Sequence, residues 1–135
     1  MENYIIEHDI RVICITAEAF PQGVQAAFGK LHSLLPSLEG RTTYGISYSE
    51  HLGKIIYKAA ATELSIDESE KFGCESFIIK KGTYKGVVIN NFMNNIPQIG
   101  QTFQTLLQDP DLDLEGYCLE IYINDADVQC LVKLR

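Results

Sequence analysis

Glu120 and Tyr122 stand two residues apart in Cys118-Leu119-Glu120-Ile121-Tyr122-Ile123. The alternation of this stretch puts Cys118, Glu120 and Tyr122 on one face of a strand and Leu119, Ile121 and Ile123 on the other. A carboxylate beside a phenol can do two kinds of chemistry. If that face lines a dry aromatic groove, loss of water disfavours the charged form, and a bound organic cation is the natural compensation. Tyrosine faces add cation–π attraction of roughly 0.5–2 kcal/mol per contact. Alternatively, the pair can orient water or protonate a leaving group, with Glu120 and Tyr57 or Tyr122 as the working residues. Against both stands a plain solvated glutamate on the outside of a hairpin, with Tyr122 packed over its neighbours.

Other candidate constellations fail on their context. Gly45-Ile46-Ser47-Tyr48-Ser49 approaches a nucleophile elbow, but the final glycine is missing and no strand-to-helix turn surrounds it. Asp109, Asp111, Asp113 and Glu120 fall at the spacing of a calcium loop, yet Leu114 occupies the position that requires glycine. The four cysteines, Cys14, Cys74, Cys118 and Cys130, form no CxxC pair and have no histidine at zinc-ligand spacing, so neither a metal site nor a cofactor is expected. A two-residue turn at Asp125-Ala126 would set Cys118 opposite Lys133 and Cys130 opposite Ile121, so these two should miss each other. His8, His32 and His51 are scattered and read as surface or capping residues.

Composition narrows the partners. With 18 acidic and 11 basic residues the net charge is −7, which gives no positive face for phosphates and argues against direct nucleic-acid binding. No stretch approaches the roughly 18 apolar residues of a membrane span, and the amino terminus has no basic region leading into an apolar run. A soluble, cytoplasmic protein is expected. At 135 residues and 46% hydrophobic content, one domain spanning 1–135 can bury its own core.

The elements that would position these residues follow from periodicity. Asp9 to Thr16 alternates as a buried strand, and a helix should follow with Pro21 in its first turn and Val24, Ala27, Phe28, Leu31, Leu34 and Leu35 on one face. Thr42 to Tyr48 and Lys54 to Thr62 predict a hairpin. Tyr44, Ile46 and Tyr48 share one face of its first strand, as pocket wall or as core. In the second strand Tyr57 stands with Ile55, Ala59 and Ala61, where a core tyrosine is the default. Ser65 to Gly73 reads as an acidic, irregular connection. Glu75 to Lys80 and Thr83 to Asn90 read as further strands, and a second helix should follow with Pro97 in its first turn, capped by Asn94 or Asn95, with Ile99, Phe103, Leu106 and Leu107 on one face. Gly116 to Ile123 and Asp127 to Leu134 predict a last hairpin.

The second half repeats the first at an offset near 75 residues, with Val24, Phe28 and Leu31 falling on Ile99, Phe103 and Leu106. The order strand, helix, strand, strand occurs twice, at about 8–62 and about 75–135, as expected of two supersecondary units sharing a core. The predicted class is therefore α+β: antiparallel strands with two helices, in two β-α-β-β repeats.

Several short stretches also resemble a known family. Tyr44-Gly45-Ile46, Tyr57-Lys58-Ala59-Ala60, Lys81-Gly82-Thr83-Tyr84 and Leu119-Glu120-Ile121-Tyr122 occur in the order and spacing of the GyrI-like, or AraC-type, effector-binding domains of multidrug-responsive regulators. The resemblance implies pseudo-two-fold symmetry, a ligand groove between the repeats, and a glutamate of the penultimate strand at its floor, a position that Glu120 matches. Tyr57, Tyr122, Tyr44, Ile46, Tyr48 and Phe92 are then candidate groove residues, Phe92 only because it precedes the second helix. The family's small apolar motif ending in glycine is replaced here by Asn90-Asn91-Phe92-Met93-Asn94.

The leading expectation is a stand-alone binding protein for a small amphipathic, cationic molecule, with any transcriptional output passing through a partner. Two alternatives come with the resemblance. Some relatives resemble hydrolases of reactive electrophiles, and others resemble gyrase inhibitors, for which the acidic segments Glu63 to Glu70 and Asp109 to Glu115 would meet a basic protein surface. A homodimer is compatible with all three.

Overall fold

The computed structural model describes residues 1–135. Eight antiparallel strands form one sheet: β1 (Glu2–Ile6), β2 (Ile10–Thr16), β3 (Thr43–Ser49), β4 (Ile55–Thr62), β5 (Glu75–Ile79), β6 (Gly82–Ile89), β7 (Cys118–Tyr122) and β8 (Val128–Lys133). Their spatial order is β1-β6-β8-β7-β3-β4-β2-β5. Helices α1 (Val24–Leu34) and α3 (Pro97–Leu106) each precede a hairpin, and a short α2 (Glu68–Phe72) lies between the halves.

The strand order forces the sheet to curl. Six strand spacings separate β6 from β5, about 29 Å if the sheet were flat. Only Lys80 and Lys81 join these two strands, a link that reaches at most about 11 Å. The edges must therefore approach each other, and hydrogen bonds hold the seam: Lys81 N donates to Asp9 Oδ1 at 2.8 Å, Lys80 N to Tyr117 Oη at 2.8 Å, and Tyr84 Oη to Lys80 O at 2.6 Å.

The result is a half-barrel with three apolar layers. Inside the curl pack Val12, Cys14, Tyr44, Ile46, Tyr84, Leu119 and Leu131. On the other face α1 covers Ile13, Ile15, Ala59 and Ala61 with Ala27, Leu31 and Leu35. Beside it α3 covers Ile89, Val128, Cys130 and Val132 with Phe103 and Leu106. The units β2-α1-β3-β4 and β6-α3-β7-β8 join where β3 pairs with β7.

Several sequence expectations need correction. Strand β1 lies outside every predicted element, because five residues with Ile5 73% exposed carry no clear alternation. Helix α1 begins at Val24, so Pro21 sits in the preceding turn. No side chain caps α3: its cap is Ile96, and Asn94 closes a separate single turn. The irregular connection contains α2. The last hairpin has three loop residues, since Asn124 Oδ1 accepts from the amides of both Ala126 and Asp127. That extra residue shifts the register by one, setting Cys118 opposite Val132 and Glu120 opposite Cys130. All four thiols are free.

Helix α2 is held by a buried ion pair. Arg41 and Glu68 form two hydrogen bonds, at 2.7 and 2.8 Å, with side chains 4% and 7% exposed. Hydrogen bonding to Arg41 holds the Glu68 carboxyl down at about 2. The pair's stabilisation is therefore fully present above the ordinary carboxylate value of 4.5 and lost as pH falls toward about 2. Glu68→Gln strands the Arg41 charge and should cost about 3–5 kcal/mol in urea denaturation at neutral pH. The same substitution should flatten the acid limb of the stability curve.

Candidate functional site

The β3–β7 junction brings one acid and two phenols together. Gly45 of β3 lies between Ala59 of β4 and Glu120 of β7, and Ser47 is opposite Tyr57. Gly45, Glu120, Tyr57 and Tyr122 thus share the helix-covered face. Tyr57 reaches across β3 only because Gly45 has no side chain there: an added Cβ would overlap the Tyr57 hydroxyl and lie 2.7 Å from Glu120 Oε1. With α1 and α3 aligned at the offset of 75 residues, Gly45 is the first unit's counterpart of Glu120. The two face each other where a two-fold axis relating the units would pass, so the space admits one acidic side chain and not two.

Both phenols converge on one oxygen. Tyr57 Oη donates to Glu120 Oε1 at 2.9 Å and Tyr122 Oη donates to the same atom at 2.5 Å. Glu120 Oε2 accepts from no protein donor. Since every fully buried side-chain polar atom has a partner, Oε2 must touch the surface. Glu120 is 7% exposed and belongs to none of the ion pairs. Burial pushes its carboxyl above the usual range, against the two phenol hydrogen bonds. Burial and the neighbouring acid push both phenols up, so each remains a donor.

Phenylalanines roof the acid. Phe28 of α1 meets Tyr57 and Tyr122 edge-on, with ring centroids 6.1 and 5.8 Å away. Phe20, on the segment before α1, stacks on Tyr57 at 5.7 Å, and Phe92, in the turn before α3, meets Tyr122 at 5.5 Å. Such contacts add about 0.5–1.5 kcal/mol each beyond area burial. Phe20 is 42% exposed, so the roof is thinnest over Tyr57.

Of the sequence-predicted site residues, Glu120, Tyr57, Tyr122 and Phe92 come together here. Tyr44, Ile46 and Tyr48 do not: they alternate onto the opposite face, Tyr44 and Ile46 in the inner core and Tyr48 lining a separate cleft of about 640 Å³ with Phe77, Ile78, Lys80 and Tyr117. Phe20, Phe28 and Gly45 were not among the predicted site residues. A glycine inside a strand signals close approach of another group, and that signal was present in Tyr44-Gly45-Ile46. Within the acidic segments, Glu63 pairs with Arg11, Glu68 with Arg41 and Asp109 with Lys85. Three or more His, Cys, Asp or Glu side chains converge nowhere as a metal-holding group, and no helix is long and apolar enough to cross a membrane.

Fold and site together define an α+β protein that buries one carboxyl, without a counter-charge, among aromatic rings. No family model and no curated protein matches the sequence. Solved structures do share the fold. An integron cassette protein from Vibrio cholerae aligns over 99% of this chain and 95% of its own, with a TM-score of 0.75 and 11% identity. The protein SAV2435, bound to tetraphenylphosphonium, aligns over 98% and 94%, with a TM-score of 0.62 and 14% identity. A candidate bacterial transcription regulation protein from Staphylococcus aureus aligns over 98% and 99%, at 0.56 and 13%. At these identities the likeness is one of fold.

Gly45→Ala tests the geometry. The new methyl group should separate Tyr57 from Glu120, lower stability by about 1–3 kcal/mol and alter the near-ultraviolet circular dichroism of the tyrosines. An unchanged spectrum and denaturation midpoint would mean that the two side chains do not meet over Gly45.

Proposed function

We propose that this chain is a small-molecule-binding protein of the GyrI-like effector-binding kind, receiving one lipophilic organic cation beside Glu120. Tyr57, Tyr122 and Phe28 form the walls, and Phe20 and Phe92 are the rings that give way. The observation that carries this reading is Glu120 itself, buried without a counter-charge and with Oε2 taking no hydrogen bond from the protein. An acid in that condition costs stability, and a ligand that supplies the missing charge would offset that cost. Aromatic faces attract a poorly hydrated organic cation, whereas calcium requires six to eight oxygen ligands that this site does not have.

The fold neighbour bound to tetraphenylphosphonium supports this ligand class, and the likeness to a candidate transcription regulator supports a sensing role. In that role the groove reports an amphipathic cation and a partner carries the output to DNA.

Titration calorimetry with tetraphenylphosphonium checks the reading. Saturable one-to-one binding is expected, weakened at least tenfold, or about 1.4 kcal/mol, in Glu120→Gln. The glutamine carbonyl can still accept from both phenols, so the variant should melt at or above the temperature of the native chain. Equal binding by the two proteins, or none by the native one, would refute the assignment.

A further inference from the structure

We propose that the ligand-free protein holds Glu120 as a neutral acid and that the cation enters in exchange for its proton, which couples occupancy of the site to pH. This rests on the reading of the groove as a cation site and adds what governs its filling.

The hydrogen bonding to Glu120 is lopsided. A carboxylate shares its charge between two equivalent oxygens, and two donors gain by taking one each. Here both phenols donate to Oε1, at 2.9 and 2.5 Å, while Oε2 accepts from none. The neutral acid accommodates this arrangement, since its carbonyl oxygen accepts twice and its hydroxyl is a donor that needs no donor of its own. Oε2, the oxygen that would carry the hydrogen, is also the one that touches the surface.

The groups around Glu120 supply no positive charge. From β4 comes the Tyr57 phenol, from β7 the Tyr122 phenol and the Cys118 thiol, and from β8 the Cys130 thiol. None carries charge near neutral pH, because burial pushes Cys118 up to about 11 and Cys130 to about 12, and both phenols higher. Strand β3 contributes Gly45 and Ser47, and the helix side contributes Phe20, Phe28 and Phe92. His32, one turn beyond Phe28, packs against that ring and is exposed. Gly45 also leaves the first unit with no side chain at the position matching Glu120. No internal cation is therefore available to hold the carboxyl ionised.

The exchange follows from these two facts. Burial favours the neutral acid, and an organic cation within about 4–6 Å favours the anion. When the cation seats, the Oε2–H bond breaks and the proton passes to solvent. Oε1 keeps both phenol hydrogen bonds, and no covalent bond to the ligand forms. Below the pKa of the empty site, affinity should fall about tenfold for each unit of pH, and above it the dependence should vanish.

Tetraphenylphosphonium carries a permanent charge, so any proton released on binding comes from the protein or its buffer. Calorimetry in two buffers of different ionisation enthalpy, repeated down the pH range in which affinity falls, should show proton release rising towards one per cation bound. Infrared spectra of the ligand-free native protein at the acid end of that range should contain a protonated-carboxyl carbonyl band that Glu120→Gln removes and that added tetraphenylphosphonium abolishes. Glu120-dependent binding with a buffer-independent enthalpy, or a ligand-free protein without that band, would overturn the exchange and leave the cation groove standing. Absence of binding at any pH would overturn both.

Discussion

Two residues, Lys80 and Lys81, carry the chain from one edge of an eight-stranded sheet to the strand beside its other edge, and the architecture follows from how short that link is. A flat sheet cannot be closed by so few residues, so the strands curl and their inner side chains fill the bend. The seam is sealed by Asp9, Tyr84 and Tyr117 hydrogen-bonding the backbone of the link itself. With the inside full, both helices pack on the outer face. The line between them runs over the junction of β3 and β7, and every group of the candidate site stands there.

Two buried glutamates show opposite answers to one electrostatic problem. Glu68 is 6% exposed and meets Arg41 in a two-pronged pair, which holds its carboxyl down at about 2 and fastens α2 to the body of the fold. Glu120 is 7% exposed and has only phenols, so burial outweighs its hydrogen bonds and pushes the carboxyl up. The first arrangement satisfies both charges and leaves nothing for a ligand. The second leaves one oxygen without a donor beneath rings carried by the segments ahead of the two helices. Groups with strongly shifted pKa values tend to mark functional sites when no structural partner explains the shift, and of the two acids only Glu120 lacks such a partner.

Much of this was legible in the residues. Long, clearly alternating stretches gave seven of the eight strands to within two residues at either end, and the helical spacing gave both long helices. Glu120 and Tyr122 declared a shared face by simple alternation. Where the signal was short it failed. Strand β1 has five residues and an exposed Ile5, and α2 is a single acidic turn whose defining contact, Arg41 to Glu68, spans 27 residues of sequence. One misjudged loop residue moved Cys130 from beside Ile121 to beside Glu120, because strand pairing tolerates no fractional error.

Local periodicity by itself determined which residues share a face, the repeated order of elements and the pairing of an acid with a tyrosine on one strand, because alternation and helical spacing are properties of the backbone. Only the tertiary structure decided which faces meet. The curl sent Tyr44, Ile46 and Tyr48 inward and Glu120 outward beneath the helices, and the missing side chain at Gly45 let Tyr57 reach across β3 to Glu120. Those outcomes depend on how short links bend a whole sheet and on contacts between residues 63 apart, which no local pattern encodes.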